Sequence, residues 1–178
     1  ARVLSEKCGA IRLDFTEDGD EEEVIIDIAA YSGDSAENDL AGRDFTINAI
    51  AVNPGKSVID PYKGIDDIKN KLVRTVGDPK DSFERQPMLI LRALRICAEL
   101  NFDLPKAVYE AAQDKAHLLD NTSVDERREE FEAIIGAKYA GKGLRMLAGI
   151  NAMPAIIGRE VAEGMRKREL DDFAILTE

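Results

Sequence analysis

The chain has 178 residues, which is room for one large domain or two small ones. Hydrophobic residues make up 44% and charged residues 33%, and no apolar run approaches the ~20 residues of a membrane helix, so the composition is that of a soluble globular chain with no membrane partner. The net charge of −11 makes the chain a poor general RNA binder; any RNA contact needs a local basic strip or residues outside this chain.

The start, Ala1-Arg2-Val3-Leu4-Ser5-Glu6-Lys7, turns charged at once and has no signal-peptide pattern. Cys8 and Cys97 lie far apart, each in an apolar-patterned segment. That placement predicts buried free thiols in a reducing cytoplasm rather than a disulfide or metal pair. His117 is the one histidine, and it lies late in a helix-like segment, where a surface histidine near a helix C-terminus is expected.

In chain order, Arg2 to Ala10 reads as a helix with Val3, Leu4 and Cys8 on one face and Gly9 at its end. Two strands follow, an alternating one over Ala10 to Phe15 and one rich in β-branched residues over Glu23 to Ala30. Thr16 to Glu22 between them is an acidic turn around Gly19, a solvated hairpin tip without EF-hand ligand spacing. Ser35 to Asn38 leads into a short helix from about Thr46, and Ser57 to Pro61 is a short strand. Tyr62 to Asn70 is a turn with a small helix, and Leu72 to Val76 is a last strand.

Past Gly77-Asp78-Pro79 the apolar period changes from two to 3.6, which sets the expected domain boundary. A helix is expected to begin at Pro87 with a stripe of Met88, Leu91, Leu94 and Ala98. Pro105 opens the next, with Val108, Ala111, Ala112 and Leu119 inward. Ser123-Val124-Asp125-Glu126 is a capping box ahead of Phe131, Ile134 and Ile135. Gly141-Lys142-Gly143 reads as a break, followed by short helices over Leu144 to Ile150 and Ala155 to about Met165. The charged tail from Arg166 to Glu178 is expected to fray.

The segment Gly42-Arg43-Asp44-Phe45-Thr46-Ile47-Asn48-Ala49 carries the most chemistry. An arginine can fork onto phosphate or sugar oxygens, an aspartate can fix its rotamer, and Asn48 four residues after Asp44 shares its face. Read structurally, the same residues are a helix start, with Asp44 as cap and Arg43 in a surface ion pair. The segment resembles the R-R-D-x-x-x-N element of the tRNA nucleotidyltransferase/poly(A) polymerase family (class II CCA-adding enzyme-like), with Gly42 in place of the first arginine. Three further stretches follow the family in order. Asp60-Pro61-Tyr62-Lys63-Gly64-Ile65-Asp66-Asp67-Ile68 resembles D-P-x-x-G-x-x-D-L, with Gly64 read as the residue of a tight turn. Arg85-Gln86-Pro87-Met88-Leu89-Ile90-Leu91-Arg92-Ala93-Leu94-Arg95 resembles E-D-P-L-R-x-L-R-A-x-R, with Gln86 and Leu89 where the family has its base-reading Asp and Arg. Ser123 to Glu130 resembles S-x-E-R-x-x-x-E, with Asp125-Glu126 in place of E-R.

The resemblance implies an α+β chain: part of a polymerase β-like nucleotidyltransferase head with a small mixed or antiparallel sheet over 1–79, then an all-α neck over 80–178. It implies template-independent addition of nucleotides (CCA, A or poly(A)) to RNA 3′ ends, with ATP or CTP and tRNA as partners and two Mg²⁺ ions. Arg43, Asp44 and Asn48 are the implied contacts to ribose and phosphates, and Gln86, Arg92 and Arg95 those nearer the base. Arg92 and Arg95 are equally the polar face of an amphipathic helix. The family's G-G-x-V-R-D segment and metal-binding D-x-D are not in this sequence, so the chain is expected to lack the N-terminal metal-binding segment and to be inactive alone. Asp27, in Val24 to Ala30, is the strand carboxylate left for a catalytic metal, or a residue alternating outward to solvent. A non-catalytic nucleotide- or protein-binding relative is the alternative, and exposed strand edges leave self-association open.

Overall fold

The computed structural model describes residues 2–5, 10–16, 23–30, 32–158 and 161–162. These fall into two compact units, residues 1–42 and 43–178.

The first unit contains a three-stranded antiparallel sheet in the order β1 (Arg2–Ser5), β2 (Ala10–Thr16), β3 (Glu23–Ile28). Its register pairs Val3 with Ile11 and Arg12 with Asp27. Arg2–Ser5 is therefore a strand, not the start of a helix. A four-residue segment has too few turns for apolar spacing to separate helix from strand, and pairing with β2 decides. Gly9 and the acidic turn over 17–22 lie outside the described residues. Helix α1 (Ala36–Ala41) is capped by Ser35, whose hydroxyl accepts from the Asn38 N–H at 3.2 Å.

The second unit opens with a single 3₁₀ turn, Thr46–Asn48, and a hairpin of β4 (Ala51–Val52) and β5 (Val58–Ile59). Helix α2 (Gly64–Asn70) follows. Leu72 to Val76 is not a strand. It makes isolated bridges to both sides, Leu72 with Asp103 and Thr75 with Phe45. The apolar residues of this segment sit in one core with the helices: Phe45 and Val73 are fully buried beside Phe83, Leu91 and Leu94. Packing thus runs through residue 79, where the period of the sequence changes.

The helices are α3 (Pro79–Arg85), α4 (Leu89–Leu100), α5 (Lys106–Lys115), α6 (Val124–Gly136), α7 (Ala140–Gly149) and α8 (Met153–Ile157). Pro79, not Pro87, takes the first helical position, because Asp78 before it caps the Lys80 and Asp81 N–H groups. Pro87 lies in the joint between α3 and α4. Helix α4 is the centre of the unit and packs against α6 and α7. Its expected stripe is buried, and Leu89, Ile90, Ala93 and Cys97 are buried with it. In α6, Ile134 is buried but Ile135 is 42% exposed. Leu119 is buried from a 3₁₀ segment, Ala116–Asn121, rather than from α5.

Gly141-Lys142-Gly143 lies inside α7 instead of breaking the chain. A Cβ on Gly143 would stand 2.7 Å from Ile134 Cγ2 and 2.9 Å from Ala98 Cβ. The glycine is there for close helix approach, a requirement between helices that a local reading of sequence does not contain. Helix α8 ends at Ile157, residues 161–162 are again helical, and the tail beyond residue 162 lies outside the described residues. No helix among the described residues is long and apolar enough to cross a membrane.

Candidate functional site

The Arg43–Asn48 segment is extended at Phe45 and turns once at Thr46–Asn48. Apolar and polar residues separate by depth. Phe45, Thr46 and Ala49 are buried, while Arg43 and Asn48 are exposed and Asp44 is half-buried. Asp44 Oδ1 accepts from the Phe45 N–H at 2.7 Å and from Asn48 Nδ2 at 3.1 Å. The spacing-based expectation that Asp44 and Asn48 meet holds, although the helix between them is one 3₁₀ turn. The backbone is fixed from a second segment: Val76 N–H donates to Asp44 O at 3.1 Å, and Thr46 N–H donates to Arg74 O at 2.8 Å. The result is a carboxylate, an amide and a guanidinium on one short surface segment whose other residues, Phe45, Thr46 and Ala49, are buried. Such a group offers donors and an acceptor to a hydroxylated, anionic ligand.

Beneath it the buried Thr46 and Asp67 join the half-exposed Arg74 in a polar knot. Thr46 Oγ1 donates to Asp67 Oδ2 at 2.5 Å. The same oxygen accepts from Arg74 Nε at 3.1 Å and Nη2 at 2.8 Å, and Nη2 donates on to Tyr62 O at 2.6 Å. Asp67 is 7% exposed, so its charge is supported by a fork of donors rather than by water. Asp60 closes the start of α2, accepting from Gly64 N–H at 2.7 Å and Ile65 N–H at 3.0 Å. Gly64 does not supply the unusual backbone angle of this turn; Lys63 does, at φ 60°. A Cβ on Gly64 would collide with the carbonyl of Thr46 and come within 2.9 Å of Ile50 Cγ1. The D-P-x-x-G-x-x-D stretch is thus the support on which the R-D-F-T-I-N-A turn rests. Asp67 and Arg74 escaped the sequence reading. The signal for Asp67 is the second acid of its motif; for Arg74, whose carbonyl and side chain both matter, no local signal exists.

Gln86 is exposed at the C-cap of α3, and its N–H is taken by Ser82 O at 3.0 Å. Leu89, three residues on, is 5% exposed within the core. Arg92 and Arg95 converge on Glu130 of α6. Arg95 Nε donates to Glu130 Oε2 at 2.8 Å, Arg92 Nε stands 3.6 Å from Oε1, and Arg95 also reaches Glu99 at 3.1 Å. Burial disfavours the Arg95 cation, but the hydrogen bonds to Glu130 and Glu99 outweigh it and hold its pKa above the ordinary arginine value. Glu130, a partner the sequence reading had not assigned, is the last residue of the S-x-E-R-x-x-x-E-like stretch. Ser123 caps α6 as expected, accepting from the Glu126 N–H at 3.4 Å. Arg127 Nη1 donates to the Leu119 and Thr122 carbonyls, tying α6 to the 3₁₀ segment before it. Cys97 lies buried in α4, and burial pushes its thiol up to about 12, so it is a packing residue.

Asp27 lies in β3, opposite Arg12 in register, in the other unit. Among the described residues, no three His, Cys, Asp or Glu side chains gather to hold a metal ion.

The family described as the poly A polymerase head domain matches residues 7–74. A CCA-adding enzyme of Streptococcus agalactiae serotype V is 38% identical over 147 residues, covering 80% of this chain and 37% of that protein. The Bacillus stearothermophilus CCA-adding enzyme in complex with CTP superposes with a TM-score of 0.75 at 28% identity, covering 84% of this chain and 38% of that one. A tRNA nucleotidyltransferase complexed with a primer tRNA and an incoming ATP analog gives a TM-score of 0.74 at 25% identity, covering 86% of this chain and 46% of that one. The chain thus spans less than half the length of the relatives it matches. Their folds agree with the α+β head and helical neck that the sequence implied. The ordered motifs, the buried support beneath the first of them and these relatives lead to one assignment: the chain belongs to the tRNA nucleotidyltransferase/poly(A) polymerase family.

Proposed function

We propose that this chain is part of a template-independent RNA nucleotidyltransferase that adds nucleotides (CCA, A or poly(A)) to RNA 3′ ends, with tRNA as the acceptor and ATP or CTP as the donor. The observation that carries the reading is the Arg43–Asp44–Asn48 group, presented at the surface by a turn that a polar knot holds from below. In this reading residues 1–79 are the later part of the catalytic head and 80–178 the neck. Arg43 and Asn48 donate to phosphate and ribose oxygens, and Asp44 orients Asn48 and accepts from the sugar hydroxyls. Gln86 offers an amide to the base edge. Arg92 and Arg95 lend positive charge nearby, already shared with Glu130. The names of the related structures, solved with CTP and with tRNA and an ATP analog, support the choice of partners. A tRNA-processing enzyme of this kind works in the cytoplasm.

Two-metal chemistry in this family calls for Mg²⁺, and Asp27 is the strand carboxylate this chain would contribute. The described residues do not by themselves compose such a centre. What these residues do is bind and orient the nucleotide for attack by the RNA 3′-hydroxyl.

The test is extension of a tRNA lacking its 3′ end by the full-length protein with Mg²⁺ and labelled CTP, ATP or both. Incorporation is expected. No incorporation with any nucleotide mix would favour the non-catalytic binding relative.

A further inference from the structure

The turn that presents Asp44 and Asn48 makes few hydrogen bonds of its own. Asn48 N–H reaches Phe45 O at 2.9 Å and Ala49 N–H reaches Thr46 O at 3.0 Å. A three-residue 3₁₀ turn with two such bonds does not hold one geometry unaided. Thr46, midway between the two polar groups, is fully buried and is gripped by side chain and backbone together. Its hydroxyl is held by Asp67 and its N–H by Arg74 O, while its carbonyl lies against Gly64. Asp67 and Arg74 in turn hold each other through two nitrogens on one oxygen. Thr46 and Asp67 are buried away from any ligand, yet the bonds of Asp67 and of the Arg74 carbonyl end on the residue between Asp44 and Asn48.

We infer that Thr46 and Asp67 are positioning residues for nucleotide binding, acting by pre-ordering the Asp44–Asn48 pair. The inference rests on the nucleotide site proposed above. With the Thr46 hydroxyl bond gone, the turn samples other geometries, and ordering it again becomes a cost of binding. That loss weakens the ground state and the transition state alike, so it appears in KM and not in kcat. A role in stability alone would lower the melting temperature and leave KM unchanged below it.

The experiment compares Thr46→Val, Thr46→Ser, Asp67→Asn and Arg43→Ala in the full-length protein, each assayed below its own melting temperature. Thr46→Val exchanges the hydroxyl for a methyl group and leaves the Asp67–Arg74 pair in place. It should raise KM for CTP and ATP about tenfold with kcat within about twofold. Thr46→Ser, which keeps the hydroxyl, should restore KM. Asp67→Asn is nearly isosteric and gives a second reading, with an expected rise of about threefold. If Arg43→Ala raises KM while folded Thr46→Val and Asp67→Asn do not, the positioning role is wrong and the nucleotide site stands. If none of the three moves KM, the nucleotide site itself is misplaced and the inference falls with it.

Discussion

Two parts of the second unit carry basic residues of motif-like stretches, and they use them differently. Around residues 43–48 the polar groups stand at the surface on a buried support. On α4, Arg92 and Arg95 turn to Glu130 of another helix and share its carboxylate, which is only 15% exposed. In the first region Asp44 and Asn48 bond each other at the surface, over a knot that grips Thr46 between them. In the second, a residue 35 positions away takes up the charge and joins α4 to α6. The contrast teaches that an arginine's role is set by what faces it from outside its own motif.

The comparison can be broken hardest at Gly64. Gly64→Ala pushes a methyl group into the Thr46 carbonyl and should cost about 3 kcal/mol, read as a drop in melting temperature. A change well under 1 kcal/mol would mean that the support beneath the turn is soft. Glu130→Ala tests the other region. It leaves two half-buried cations without their shared partner and, discounted for their exposure to solvent, should cost about 2 kcal/mol in urea unfolding. Glu130→Gln should cost roughly half as much, since the amide oxygen still accepts. Ser123→Ala removes a long cap bond of α6 and should cost about 0.5 kcal/mol, which a stability shift above 2 kcal/mol would contradict.

The smallest effect at neutral pH comes from Cys97. Its folded pKa is raised from 9.0 to about 12, so the folded state keeps its proton where the unfolded chain loses it. The associated stability is complete below pH 9 and is lost as pH rises toward about 12. Unfolding measured between pH 8 and 11 should show that decline, and Cys97→Ala should flatten it.

Much of this was legible in the sequence because it is local. The Arg43–Asn48 element, the Ser123 cap and the apolar stripe of α4 depend on spacings of three or four residues. Segments shorter than two turns were not legible, as Arg2–Ser5 shows: four residues fit either period, and the neighbouring strand decides. Pro87 and Pro79 compete for one role, and Asp78 settles it by offering its carboxylate to the next N–H groups. Gly143 looked like a breaker because its reason lies in Ile134 and Ala98, on two other helices. Arg74 and Glu130 carried no local mark, since each acquires its role from a partner elsewhere in the chain. The geometry of the candidate site was least legible of all, because its support joins Thr46, Asp67 and Arg74, residues far apart in the chain whose partnership no local spacing marks.

The contact between Gly64 and the Thr46 carbonyl has a consequence for redesign. There the main chain of one motif lies against the main chain of another, so no repacking of neighbouring side chains makes room for a larger residue. Tolerance at residue 64 is therefore set by the Thr46 backbone and not by the choice of side chain at residue 46. A library of variants gains nothing from enlarging residue 64 and can concentrate its diversity at exposed positions such as Gln86.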